Sequence, residues 1–133
     1  MLLCTIIISC TGNKKTNSGT NEDIIGKQWK LIEIVGETIE FDKLRSEPYI
    51  FLSNKDNRIR ANDGCNWTDG TYNLDAAKSH ISFSMSGIYT EMWCKYQVSI
   101  EIIAKADNYT LSPDKKRLRL NKGNNPLARF ETE

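Results

Sequence analysis

The sequence is poor in the residues that mark the simplest non-globular classes of protein. Only 3 prolines and 8 glycines occur in 133 residues, which argues against a collagen-like or low-complexity chain. No apolar run approaches the roughly 18–20 residues that a membrane-spanning helix needs, so no transmembrane helix is expected. The length is typical of one domain.

Charge of either sign is not in excess. The chain has 18 Lys and Arg against 17 Asp and Glu, a formal net charge of +1 at pH 7. A dedicated nucleic-acid binder needs excess cations to displace phosphate counterions, so no nucleic-acid partner is expected. The one basic cluster, residues 115–119, is expected to lie on the solvated face of a hairpin. Contact with lipid or polysaccharide phosphate is its alternative.

The first ten residues have the pattern of a bacterial lipoprotein signal. An apolar stretch over residues 2–8 is followed by the small Ser9 and by Cys10, which would be acylated and become the new N-terminus. No Lys or Arg precedes the apolar stretch, although export signals normally have one. A cytosolic protein with an accidentally apolar N-terminus is the alternative.

This pattern divides the chain into a signal peptide (residues 1–9), a flexible tether after the lipidated cysteine (residues 10–22) and a folded domain (residues 23–133). The lipid would make a membrane of the bacterial cell envelope the first partner of the protein. We expect the outer membrane, with the domain facing the periplasm as a monomer.

Two of the 4 cysteines, Cys65 and Cys94, lie within the predicted domain. In an oxidising envelope compartment they are candidates for a disulfide, which would close a loop of about 30 residues. Two buried free thiols that act as small apolar side chains are the alternative.

Most of the domain has the pattern of short strands, whereas residues 91–106 have a helical one. In that segment apolar side chains recur every three or four residues, at Met92, Tyr96, Ile100 and Ile103. We therefore predict an α+β fold: a small antiparallel β-barrel or strongly curved sheet of about seven to eight strands with one helix packed against it. The strand patterns cover residues 29–35, 49–52, 58–60, 71–74, 80–85, 109–111, 117–120 and 127–130.

The predicted domain contains a series of short motifs, in this order: Trp29-Lys-Leu, Gly64-Cys65-Asn66, Gly70-x-Tyr72, Phe83, Thr90-x-Met92-x-Cys94, Tyr109-x-Leu111, Leu118-x-Leu120 and Pro126-Leu-Ala-Arg-Phe130. Together they resemble the META domain family, the HslJ-like lipoproteins of bacterial envelopes. The resemblance covers residues 24–132 and implies a compact antiparallel fold tethered to a membrane. It implies no catalytic residue, because the family has no established chemistry. Trp93 stands where the family more often has a small residue.

The residues themselves predict no active site. A nucleophilic triad would need the single histidine, His80, beside Cys65 or Cys94, and nothing in the sequence brings them together. These residues also lack the short spacings of metal sites. Asp63 and Asp69, each followed by Gly, are explained more simply as turns than as a carboxylate pair. We expect no catalytic residue, no bound metal and no cofactor.

Trp67 and Trp93 lie next to the two cysteines of the domain, so a disulfide would bring both indoles into one region. We expect them to cover the bridge; an exposed patch that binds an envelope protein or a small apolar ligand is the alternative. The predicted function is a non-enzymatic, membrane-anchored binding or stress-protective module. A purely structural protein is the alternative, and a carrier of a metal or a small apolar ligand is less favoured.

Overall fold

The computed structural model describes residues 23–88 and 92–133. The predicted signal peptide and tether, including Cys10, lie outside these residues. Eight strands form one closed antiparallel barrel, in which each strand pairs with its neighbours in sequence and β8 pairs back to β1. The strands are β1 (Gln28–Ile34), β2 (Tyr49–Leu52), β3 (Arg58–Asn62), β4 (Trp67–Asp75), β5 (His80–Ile88), β6 (Asn108–Leu111), β7 (Arg117–Lys122) and β8 (Asn125–Glu131).

Alternation of side chains explains why these segments are strands. In β7, Leu118 and Leu120 point into the barrel while Arg117 and Arg119 point out. In β1 the alternation is interrupted by a register shift between Leu31 and Glu33, after which Ile34 again faces the interior. The prediction of a barrel of seven to eight antiparallel strands is confirmed.

The interior of the barrel is filled by side chains. Trp29 is completely buried, and its indole N–H donates a hydrogen bond to the Ile24 carbonyl oxygen at 2.9 Å. Each fully buried Leu, Ile or Phe stabilises the fold by roughly 1.5–3 kcal/mol. The largest fully buried side chains are Trp29, Phe130, Ile24, Leu31, Ile50, Leu52, Ile59, Ile81, Ile103, Leu118, Leu120 and Pro48.

The barrel has two distinguishable ends. At the entry end, where the described chain begins, the Asp23 carboxylate lies 3.0 Å from Lys115 Nζ in the turn between β6 and β7. The turn between β3 and β4 lies at the opposite end, which we call the disulfide end because it contains Cys65. The chain therefore enters the barrel at one end and carries its disulfide at the other.

The predicted helix over residues 91–106 is wrong. Residues 92–99 have no regular secondary structure, and a short 3-10 helix, η3 (Ile100–Lys105), follows them. Two more 3-10 helices, η1 (Phe41–Lys43) and η2 (Ala76–Lys78), precede it along the chain. Met92 and Tyr96, which the helical pattern placed on a buried face, are 44% and 38% exposed. Within the described residues, no helix has the length and apolarity that crossing a bilayer requires.

Tertiary bonds explain why residues 92–99 are not helical. Cys94 is covalently joined to Cys65, and the Val98 N–H donates to the Asp63 carbonyl oxygen at 2.9 Å. These two bonds attach the segment to the β3–β4 turn at positions four residues apart. In an α-helix the Val98 N–H would donate to the Cys94 carbonyl oxygen, four residues earlier. Here it donates to Asp63, so a tertiary hydrogen bond replaces the helical one.

Candidate functional site

The turn between β3 and β4 is shaped by one carboxylate. Asp63 Oδ1 accepts hydrogen bonds from the backbone N–H groups of Cys65 (2.8 Å) and Asn66 (2.6 Å). Gly64, between Asp63 and Cys65, has a φ of +90°, a conformation that residues with a Cβ rarely adopt. The predicted turn at Asp63 is therefore confirmed, and it directs both Cys65 and Asn66 into buried positions.

The second predicted turn, at Asp69, is wrong. Asp69 and Gly70 lie within β4, where the register with β5 shifts between them. Gly70 is needed there because a Cβ would collide with the backbone carbonyl oxygen of Ser84. The Asp69 carboxylate forms ion pairs with Arg60 (3.2 Å) and Arg58 (3.7 Å) on β3. Its role is therefore cross-strand charge pairing.

Cys65 and Cys94 form a disulfide, as predicted, with their Cα atoms 6.1 Å apart and a sequence separation of 29. Cys65 is buried at the base of the turn. The alternative of two free thiols is not what the structure shows. The bridge joins the β3–β4 turn to the long connection between β5 and β6.

Asn66 holds the same connection by its side chain. Its amide nitrogen donates to the Met92 carbonyl oxygen at 2.9 Å, and its amide oxygen accepts from the Met92 N–H at 2.8 Å. The Asn66 amide thus pairs with Met92 as a neighbouring peptide group would in a sheet. This role of Asn66 is not predicted from the sequence, although the place of Asn66 in the Gly64-Cys65-Asn66 motif is a signal that could have suggested one.

The disulfide and the Asn66 hydrogen bonds hold an exposed loop in place. It comprises residues 92–97, and we call it the aromatic loop. Trp93 is 85% exposed. The Tyr96 ring is also partly exposed and is approached by two ammonium groups, Lys43 Nζ at 4.9 Å and Lys95 Nζ at 5.6 Å from the ring centroid. The loop therefore combines large apolar side chains with cations in cation–π contact.

The ammonium group of Lys43 beside Tyr96 is paired with a carboxylate. The Glu40 carboxylate accepts a hydrogen bond from Lys43 Nζ at 2.9 Å and raises the pKa of Lys43 above its ordinary value. A lysine is protonated at neutral pH in any case, so the effect of Glu40 is to hold the Lys43 ammonium group in an ion pair beside Tyr96.

The two tryptophans of the predicted patch have different environments. Trp67 opens β4, and the Arg60 guanidinium lies over its ring, 4.0 Å from the centroid. Trp93 is almost fully solvent-exposed, so the expectation that both indoles cover the disulfide does not hold for Trp93. The structure brings both residues to the disulfide end, with Trp93 as the protruding member.

His80 lies far from this region in the topology. It begins β5 and is exposed, with Asp75 and Asn108 as its partners in register on the neighbouring strands. Cys65 and Cys94 are bonded to each other. His80 and the cysteines therefore do not assemble into a nucleophilic triad. In the part of the chain that the structure describes, no group of three or more His, Cys, Asp or Glu side chains is placed to hold a metal ion.

The family model of the META domain matches residues 22–133. The chain belongs to the META domain family. Among solved structures, this META domain is similar to a protein from Burkholderia xenovorans whose structure was determined by NMR, with a TM-score of 0.63 and 17% sequence identity over 84% of this chain and 85% of that chain. At this identity the similarity concerns the fold alone. No curated protein matches the chain.

Proposed function

We propose that this META domain is a non-enzymatic binding module of the bacterial envelope that docks a protein partner through its aromatic loop. The observation that carries the proposal is an indole, Trp93, that is 85% exposed on a loop fixed by a disulfide. Large aromatic side chains dominate the binding energy of many protein interfaces. An exposed Trp in a fixed position is suited to that role.

Attachment of the loop supports this role energetically. Binding costs free energy when flexible side chains and loops become ordered, and a preorganised loop avoids much of that cost. Here the backbone of Met92 is held by Asn66 and the loop is covalently joined through Cys94. The loop can therefore meet a partner without first being ordered.

The filled barrel favours a protein partner over a small apolar ligand carried inside. A ligand cavity in the barrel would need the space that Trp29 and Phe130 occupy, and both are completely buried. A purely structural role is the remaining alternative. It does not require the exposure of Trp93.

Membrane attachment through Cys10 is part of the proposal, with the outer membrane and its periplasmic face as the expected location. Its support is the lipoprotein pattern of residues 1–10. Asp23, where the described chain begins, lies at the entry end, so the tether would join the barrel at the end opposite the aromatic loop. The loop is then accessible to a partner beyond the anchoring membrane.

The docking proposal is tested by site-specific photo-crosslinking in intact cells. A photo-reactive phenylalanine analogue replaces Trp93 or, as a matched control, Phe51, which is 36% exposed on the barrel wall in β2. We expect a discrete crosslinked protein with the probe at position 93 and none at position 51. The same product at both positions, or none at either, would favour the structural alternative.

The anchor is tested separately with Cys10→Ala. A lipid is the strongly apolar attachment, so its loss should release the protein from membranes or leave the signal uncleaved. Membrane fractions would be compared by immunoblot, with Cys94→Ser as a control that leaves Cys10 unchanged. Full retention of a processed Cys10→Ala protein in membranes contradicts the lipid anchor.

A further inference from the structure

Four outward-facing side chains form one row across the barrel wall at the entry-end half of β7 and β8. Thr110 on β6 is the register partner of Arg119 on β7, Arg119 is the partner of Arg129 on β8, and Arg129 is the partner of Glu33 on β1. Two arginines are therefore direct cross-strand neighbours. Like charges in this position destabilise a sheet.

The neighbouring row shows the arrangement that avoids this cost. There Arg117, Glu131 and Lys30 are successive register partners on β7, β8 and β1, and their charges alternate in sign. Arg117 and Glu131 approach to 3.6 Å. The same strands thus carry a neutralised row beside one with adjacent cations. Departures from local electrostatic consistency are expected at functional positions.

Only one of the two adjacent arginines is neutralised within the row. Arg129 donates to Glu33 Oε2 through Nε at 3.1 Å and Nη2 at 2.7 Å. Arg119 instead donates through Nη2 to a neutral group, Thr110 Oγ1, at 3.4 Å. Among the described residues no carboxylate forms an ion pair with Arg119. Its guanidinium retains donors that can face an anion.

A surface cleft lies beside these guanidinium groups. Its volume is about 180 Å³, and its charged lining is three arginines, Arg117, Arg119 and Arg129, and one carboxylate, Glu131, which is paired with Arg117. Ile32 also lines it, so the cations border an apolar side chain. A guanidinium fork matches the oxygens of a phosphate group in geometry as well as charge.

We propose that this cleft binds a phosphate group, with Arg119 as the principal donor and the apolar part of the ligand against Ile32. The cleft lies towards the entry end of the barrel, near the β6–β7 turn. In that turn Lys115 forms an ion pair with Asp23, where the described chain begins. Two sources supply this chemistry: the headgroup of an acidic phospholipid and a soluble phosphate ester. The site is separate from the aromatic loop.

The test for soluble phosphate is an NMR titration of the chain carrying Cys10→Ala, which has no lipid. Inorganic phosphate should shift the Arg119 side-chain Nε–Hε signal and the Thr110 amide signal with saturation. Arg119→Gln should weaken binding about ten-fold or more, since hydrogen bonds to charged groups are lost. The control is Arg58→Gln, which removes an exposed arginine paired with Asp69 on another part of the wall and should leave binding unchanged.

The second arm measures cosedimentation of the same chain with vesicles of phosphatidylglycerol or of phosphatidylcholine. Binding to phosphatidylglycerol that Arg119→Gln removes and Arg58→Gln preserves would identify a lipid headgroup as the source. Saturable binding of inorganic phosphate without vesicle binding would identify a soluble ester. Equal losses in both variants, or no saturable binding in either arm, would overturn the proposal. Trp93→Ala should affect neither arm, so the outcome is independent of the docking proposal.

Discussion

Removing the Cys65–Cys94 bridge should destabilise the domain mainly by freeing its unfolded chain. In the folded state the connected segments stay attached by other bonds: Asn66 holds Met92, and Asp63 holds Val98. The native geometry is therefore expected to survive reduction. The loss of stability then comes from the unfolded ensemble, which regains the freedom that the cross-link removes.

The expected magnitude follows from the size of the closed loop. For a sequence separation of 29, the chain-entropy relation gives about 3.6 kcal/mol at 25 °C. Measured values vary around such estimates, and we expect a loss of about 2–4 kcal/mol. For a domain of this size that corresponds to a decrease in the unfolding midpoint of about 8–15 °C.

The assay is thermal unfolding followed by circular dichroism, with and without a phosphine reductant. Cys94→Ser should match the reduced protein, and Cys65→Ser should lower stability somewhat further because Cys65 is buried and a hydroxyl there needs a hydrogen-bond partner. The double variant should add little to Cys65→Ser, since the two side chains form one interaction. Two free thiols in the unreduced, denatured domain, or a midpoint change below roughly 2 °C on reduction, would refute this reasoning.

Three further substitutions probe the site and the sheet. Asn66→Ala removes both hydrogen bonds to Met92 and should lower the free energy of unfolding in urea by about 2–3 kcal/mol. The Met92 amide should then exchange faster with solvent. An unchanged exchange rate would contradict the role of Asn66 in holding the aromatic loop. Gly70→Ala places a Cβ against the β5 backbone and should lower the free energy of unfolding by about 3 kcal/mol in the same assay. An unchanged unfolding midpoint would show that β4 and β5 can move apart at this position. The pKa of the Asp107 carboxyl lies below its ordinary 3.8, mainly because the carboxylate accepts a hydrogen bond from the Gly123 N–H. The carboxylate therefore stabilises the fold above about pH 4, and this contribution is lost as the pH falls through the pKa of the folded state. The stability difference between wild type and Asp107→Asn should narrow as pH falls below about 4, and a constant difference would exclude this contribution.

The strands could be predicted because alternation is a local property of the chain. Leu118 and Leu120 face the interior, in agreement with their alternation with arginines, and the strand pattern that begins at residue 29 corresponds to β1. The Asp-Gly pairs illustrate the limit of local signals. The same dipeptide forms a turn at Asp63 and lies within a strand at Asp69, and the difference is set by the pairing of β4 with β5.

The arginine row could not be predicted from sequence. Arg119 and Arg129 lie in different strands, and their adjacency depends on the register of β7 with β8, which includes a shift between Leu120 and Asn121. A displacement of one residue would move each side chain to the other face of the sheet. The basic cluster of residues 115–119 was visible in the sequence, whereas the partners that neutralise some of its members were not.

The limited pairing of β5 with β6 explains two features of residues 91–106. It explains why the predicted helix is wrong and why the aromatic loop is at the surface. These strands share a single register pair, His80 with Asn108, whereas β4 and β5 are paired along most of their length. Closing the barrel at this place leaves a long connection that must be fixed by other means. Ile100 and Ile103 of η3 are buried in the core, and the disulfide fixes the first half. Because that half is bound by its backbone and Cys94, the side chains of Met92, Trp93 and Tyr96 are left at the surface, where they can meet a partner.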